Sequence, residues 1–145
     1  MSLAEHFSTW SKDTNTKVGS VIIGKNGQVL SQGYNGFPRG VSDTLERLSD
    51  RNIKNTLTVH AEANALYNAI YNGANLENSV MYVYGLDCCH ECAKAIIQSG
   101  IRTVIAYTPI EKPNWKESIE LAQQLFKETG VQYLKISKEE FDGNK

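Results

Sequence analysis

Most features that would announce a specialised environment are missing from this sequence. It has 3 cysteines in 145 residues, an odd number crowded together as Cys88, Cys89 and Cys92. A framework of paired disulfides is therefore excluded, and the cluster points to a metal or catalytic site. No apolar run is long enough to span a bilayer, and no basic-then-apolar opening suggests a secretory signal. The expected compartment is the cytoplasm, with no membrane partner. A basic surplus is also lacking, since the formal net charge is −1. Proteins that hold polymeric nucleic acid usually carry extra Lys and Arg to neutralise phosphates. A nucleic-acid polymer is thus not expected as a partner, and a small molecule held in a local basic pocket is. Repeats, low-complexity stretches and linkers are absent, so residues 1–145 read as a single domain large enough to bury its own core.

Residues 2–12 read as a short amphipathic helix. Two β-rich runs, 18–23 and 28–34, flank Gly24-Lys25-Asn26-Gly27, and the Asn-Gly pair predicts a tight hairpin. Residues 35–57, rich in Gly, Asn, Asp and Ser and including Pro38, read as a long irregular connection, which is more often functional than idle. Ala65, Leu66, Ala69 and Ile70 recur at helical spacing and predict a helix over 61–72, stopped by Gly73. A strand over 80–84 and a helix over 90–99 capped by Gly100 follow. The pattern continues with a strand over 103–107, a helix over 115–129 ending at Gly130, and a strand over 131–136. The polar tail from 137 is expected to be loose. An opening hairpin followed by alternating strands and helices predicts an α/β fold. Its form is a three-layer α/β/α arrangement around a mixed, roughly five-stranded sheet.

Two short motifs carry chemistry: His60-Ala61-Glu62 and Cys89-His90-Glu91-Cys92. Each opens a predicted helix, so both can point at one spot beyond the C-terminal edge of the sheet. One imidazole and two thiolates make a three-ligand zinc site whose fourth position is left for water, as catalysis requires. Helix N-termini favour the thiolate forms of Cys89 and Cys92. Two thiolates also cancel the charge of Zn²⁺ and leave its water less acidic, so a nearby base becomes valuable. Glu62, two residues past the histidine, is placed to be that base.

Other readings of the same residues stay open at this point. Cys89 and Cys92 alone would fit a redox pair, although His60 and Glu62 would then be unexplained. A closed structural zinc site needs a fourth protein ligand, which only Cys88 or His90 could supply nearby. Cys88 otherwise reads as a small buried residue, His6 and His90 as ordinary polar side chains, and Trp10 and Trp115 as core or interface.

The pairing of His-x-Glu with Cys-x-x-Cys is similar to the signature of zinc deaminases. The resemblance extends to residues 11–19 (Ser-Lys-Asp-Thr-Asn-Thr-Lys-Val-Gly) and 33–40 (Gly-Tyr-Asn-Gly-Phe-Pro-Arg-Gly), with Ser42-Asp43 following. Together with residues 60–65 and 89–94, these segments resemble the deoxycytidylate (dCMP) deaminases of the cytidine deaminase superfamily. The resemblance implies that His60, Cys89 and Cys92 bind catalytic zinc and that Glu62 shuttles protons during hydrolysis of dCMP to dUMP, the precursor for thymidylate synthesis. It places Asn35 and Ala61 at the substrate, although Asn35 beside Gly36 also reads as a turn residue. It further implies a homohexamer activated by dCTP and inhibited by dTTP with Mg²⁺, its effectors held near Asn15, Lys17 and Arg39 and against the 61–72 helix. Two departures stand out. Cys88 replaces the proline usual before the first cysteine, and the exposed side of that helix offers Asn68 and Tyr71 in place of a basic residue. For a substrate phosphate, Lys12, Lys17, Arg39 and Lys94 are equal candidates by charge.

Overall fold

The hairpin is where the sequence places it. In the computed structural model, which describes residues 1–144, β1 (Gly19–Ile23) and β2 (Val29–Tyr34) pair antiparallel, with Gly27 in the left-handed conformation at φ 81° that glycine supplies. The other edge of β1 pairs antiparallel with β3 (Val80–Tyr84). Strands β4 (Thr103–Tyr107) and β5 (Gln132–Lys135) then add in parallel, giving the order β2-β1-β3-β4-β5. The helices are α1 (Ser2–Ser8), α2 (Leu45–Ser49), α3 (Arg51–Leu57), α4 (Ala61–Tyr71), α5 (His90–Gln98), α6 (Lys116–Thr129) and α7 (Lys138–Gly143).

Strand alternation sorts the side chains between two covered faces. Ile22, Met81, Val83, Val104 and Ala106 lie on one face, buried with Ala65 of α4, Ile96 of α5 and Phe126 of α6. Phe126 also stacks on Tyr133 of β5. The opposite face presents Tyr84 and Tyr107, which Phe141 of α7 covers, while α1 lies across Gly19 so closely that a Cβ there would meet the Ala4 carbonyl. The three-layer α/β/α architecture with a mixed five-stranded sheet therefore forms as the periodicity predicts. Among the described residues no helix is long and apolar enough to cross a membrane.

The first helix stops at Ser8 rather than running to 12, and two longer segments differ from the sequence reading. Residues 35–57 are not irregular throughout, because α2 and α3 form within them. Thr44 Oγ1 caps α2, and Asp50 Oδ1 caps α3 by accepting from the Asn52 and Ile53 amides at 2.9 Å. Neither helix has an apolar stripe to read: α2 buries no residue and α3 buries only Lys54. The polar tail from 137 is not loose either. A capping box between Ser137 and Glu140 starts α7, and burial of Phe141 docks it on the sheet.

Helix α4 is fixed to the edge strand by polar contacts as well as burial. Asn64 and Asn68, one turn apart, donate to the Tyr34 and Gln32 carbonyls at 2.8 and 2.7 Å, and the Ser31 hydroxyl donates to the Ala65 carbonyl at 2.6 Å. Backbone meets backbone at Gly33, where a Cβ would lie 2.4 Å from both the Ala61 oxygen and the Ala65 nitrogen. Replacing Gly33 with Ala is therefore expected to lower stability by about 1–3 kcal/mol, because α4 must lift away from β2. Thermal denaturation reads this directly, and an unchanged midpoint would show slack that the packing denies.

Candidate active site

The parallel strands β3 and β4 end on the same side of the sheet as β2, and the loops that follow them enclose a cavity of about 440 Å³. This is the place where an α/β sheet leaves room for a ligand, just outside the carboxyl ends of its strands. Both motifs open helices here. His60 is the N-cap of α4, and Cys89 is the N-cap of α5, its sulfur accepting from the Cys92 amide at 3.4 Å. An isolated bridge between Gly36 and Val59 ties the end of β2 to the residue before His60, which sets where the imidazole starts.

His60 Nδ1 lies 3.4 Å from Cys89 Sγ and 3.5 Å from Cys92 Sγ, and the three donor atoms fall within 4.8 Å of one another. A tetrahedral zinc ion with bonds of about 2.0 Å to nitrogen and 2.3 Å to sulfur would separate such atoms by about 3.6 Å. The donors present therefore fit zinc in both chemistry and spacing. Among the described residues no fourth protein ligand joins them, so the closed structural site is not formed. Cys88 is buried beside Glu62 rather than aimed at the group.

The electrostatics of the three donors follow from their hydrogen bonds. A bond from the Cys92 thiol, opposed by burial and reinforced by His60, holds the Cys89 thiol down at about 4. The bond to Cys89 in turn holds the His60 imidazole up at about 9, against its burial. Sharing its proton with Cys89, and being buried, pushes the Cys92 thiol far up. Glu62 opens on the same cavity from the first turn of α4 at 4% exposure, and burial raises its carboxyl above the ordinary range against the pull of His60. The arrangement holds a buried carboxyl beside a preassembled metal group, as general acid–base chemistry requires.

Of the remaining sequence candidates, Ala61 and Asn35 border the cavity. Ala61 is the first residue of α4, so its N–H has no acceptor within the helix. Asn35 is buried and spends its amide on the chain itself, accepting from the Val18 N–H and donating to the Thr16 carbonyl, both at 2.8 Å. Ser11 Oγ also donates to the Asn35 carbonyl. These bonds staple residues 11–18 to the end of β2 and leave one amide hydrogen and one lone pair of Asn35 for a ligand. Asn15 borders the cavity, whereas Lys17 and Arg39 do not. Arg39 hydrogen-bonds Asn68 and lies 5.3 Å over the Tyr71 ring, on the outer side of α4.

Sequence reasoning missed a second set of cavity residues: Asp13, Arg51, Lys54, Asn55, Lys112 and Trp115. Trp115, read from sequence as core or interface, stands edge-on to His60 with ring centroids 5.6 Å apart. A signal was present in α3 and its C-cap, where Arg51, Lys54, Asn55 and Thr58 fall at steps of three and four just before His60. It lay within a segment read as loop.

The site and the fold have counterparts among known proteins. A family model of the cytidine and deoxycytidylate deaminase zinc-binding region matches residues 1–108. An uncharacterised deaminase of Aliivibrio fischeri is 38% identical over 134 residues, covering 90% of this chain and 86% of its own length. Human deoxycytidylate deaminase is 36% identical over 131 residues, covering 87% of this chain and 71% of that protein. Among solved structures, the dCMP deaminase of the cyanophage S-TIM5 in complex with dCMP and dUMP superposes with a TM-score of 0.72 at 27% identity, covering 93% of this chain and 92% of the other.

Proposed function

This chain belongs to the cytidine and deoxycytidylate deaminase family, and on that premise we propose that it hydrolyses dCMP to dUMP and ammonia. One observation carries the reaction: the buried Glu62 carboxyl opens into the same cavity as His60 and Cys89, whose donor atoms cluster with Cys92 Sγ. The choice of dCMP is supported by the names of the relatives and by residues 11–19 and 33–40, which Asn35 binds together at the cavity.

Zinc held by these three residues would supply a Lewis acid that makes water more acidic, and Glu62 would be the base that the charge-cancelling thiolates make necessary. Glu62 accepts a proton from the attacking water and passes it to N3 of the cytosine ring. The water oxygen bonds to C4, the C4–amino bond breaks, and Glu62 delivers the second proton to the departing ammonia. Burial suits Glu62 to this task, because a raised carboxyl pKa lets it hold a proton between the two transfers. The free Ala61 N–H and the remaining hydrogen and lone pair of Asn35 orient the nucleotide. Trp115 packs edge-on against His60 at the cavity wall and limits the positions its ring can take.

The reading extends, through resemblance, to one domain over 1–145, a homohexamer, and a cytoplasmic role supplying dUMP for thymidylate synthesis. It also extends to control by dCTP and by dTTP with Mg²⁺. Of the three effector candidates, Asn15 borders the catalytic cavity and Lys17 and Arg39 lie outside it. Incubating the zinc-loaded protein with dCMP, dCTP, deoxycytidine, cytidine and guanine should release ammonia fastest from dCMP. A faster reaction with any other member of the panel would replace the substrate, and no ammonia from any would remove the activity.

A further inference from the structure

None of the four phosphate candidates suggested by charge alone borders the cavity. Lys12 pairs with Asp43 at 2.6 Å, Lys94 with Glu91 at 2.7 Å, Arg39 is engaged on α4, and Lys17 is not part of the cavity lining. The cations that do border it are Arg51, Lys54 and Lys112. Lys54 is the unusual one. It is 4% exposed, and the bond its ammonium makes is to Asp13 Oδ1 at 3.1 Å. That same oxygen also accepts from the Asn15 and Thr16 amides at 2.8 and 3.0 Å.

A buried ammonium carries three donors and is costly to leave partly satisfied. Here one donor goes to a carboxylate oxygen shared three ways, and two donors remain at the cavity wall. The other cavity carboxylates do not relieve this. Asp87 accepts from Tyr133 at 2.5 Å and Lys135 at 3.0 Å, and Glu62 stands with the metal group. Among the described residues neither Arg51 nor Lys112 has an ion-pair partner. The cavity thus offers a surplus of unpaired donors to an anion.

We propose that Lys54 anchors the 5′-phosphate of the substrate, with Arg51 and Lys112 completing the charge, and that it thereby selects nucleoside monophosphates over nucleosides. This deepens the proposed function and rests on it. A dianionic phosphate satisfies the two spare Lys54 donors with charge-assisted hydrogen bonds, and a nucleoside leaves them unpaired. Asp13 holds the ammonium in place meanwhile and supplies its countercharge.

The test uses the zinc-loaded full chain and two readouts. The first is the ratio of kcat/KM for dCMP to that for deoxycytidine, and the second is the Kd for inorganic phosphate followed by tryptophan fluorescence. Lys54→Met should lower the ratio about a hundredfold and weaken phosphate binding by at least about tenfold. Should that variant fail to fold because Asp13 is left alone, the double variant Asp13→Asn/Lys54→Met removes both charges. Arg51→Gln, at an exposed position, should lower the ratio by a smaller factor. An equal loss on both substrates, or an unchanged phosphate Kd, overturns the assignment. Absence of turnover in the wild type would sink the proposed reaction, while the phosphate titration would still decide the anchor.

Discussion

Glu62→Gln is expected to keep its zinc and lose turnover of dCMP by roughly 10³–10⁴-fold, the scale of a lost general acid–base group. Glutamine preserves the shape and hydrogen bonds of the side chain but cannot take up and return a proton. Because Glu62 is 4% exposed with a carboxyl that burial already disfavours as an anion, the neutral amide should not destabilise the fold. Elemental analysis separates this result from loss of the metal site, since Glu62 is not among the three clustered donors. Turnover within tenfold of wild type, with zinc present, would remove Glu62 from its assigned role.

Cys92→Ser should act by the other route and lose zinc and activity together. Cys92 is 4% exposed, its sulfur is 3.5 Å from His60 Nδ1, and its removal leaves two donors where a catalytic zinc site needs three. Zinc content is expected to fall from about one per chain to below about a tenth after dialysis. The pH dependence of the wild-type site follows from the same three residues. With Cys89 ionised above about 4, His60 protonated below about 9 and Cys92 protonated throughout, zinc binding near neutrality must displace two protons. Affinity is therefore lost as pH falls, by about 100-fold per unit between pH 8 and 5, and competition with a chelator at pH 6 and 7 measures it. A Cys92→Ser protein that holds zinc as tightly as wild type would exclude the thiolate from the ligand set.

Signals spaced at a single structural period were legible without coordinates. The Asn26-Gly27 turn, the apolar stripe of α4 and the glycine after α6 each state a local preference that the surrounding packing also favours. The cluster of His60, Cys89 and Cys92 donors belongs with these, because side chains at the starts of two helices need only the helices and the intervening strand to converge. Residues 35–57 and the tail failed for the opposite reason. Helices α2, α3 and α7 are held by Thr44, Asp50 and Ser137 caps and, in α7, by a single buried aromatic, Phe141, so no apolar repeat marks them.

The reaction was thus written in the sequence itself: His60, Glu62, Cys89 and Cys92 have side-chain chemistry and local placement that admit zinc-assisted deamination before any tertiary contact is known. Which cations border the cavity was decided only in three dimensions. Lys54 borders the cavity beside Asp13, 41 residues away in the chain, which is held by its own turn and by Ser11, itself bonded to the Asn35 carbonyl after β2, whereas Lys12 and Lys94 are drawn off to Asp43 and Glu91. Charge is a property of a residue, but its availability depends on the partner that folding brings beside it.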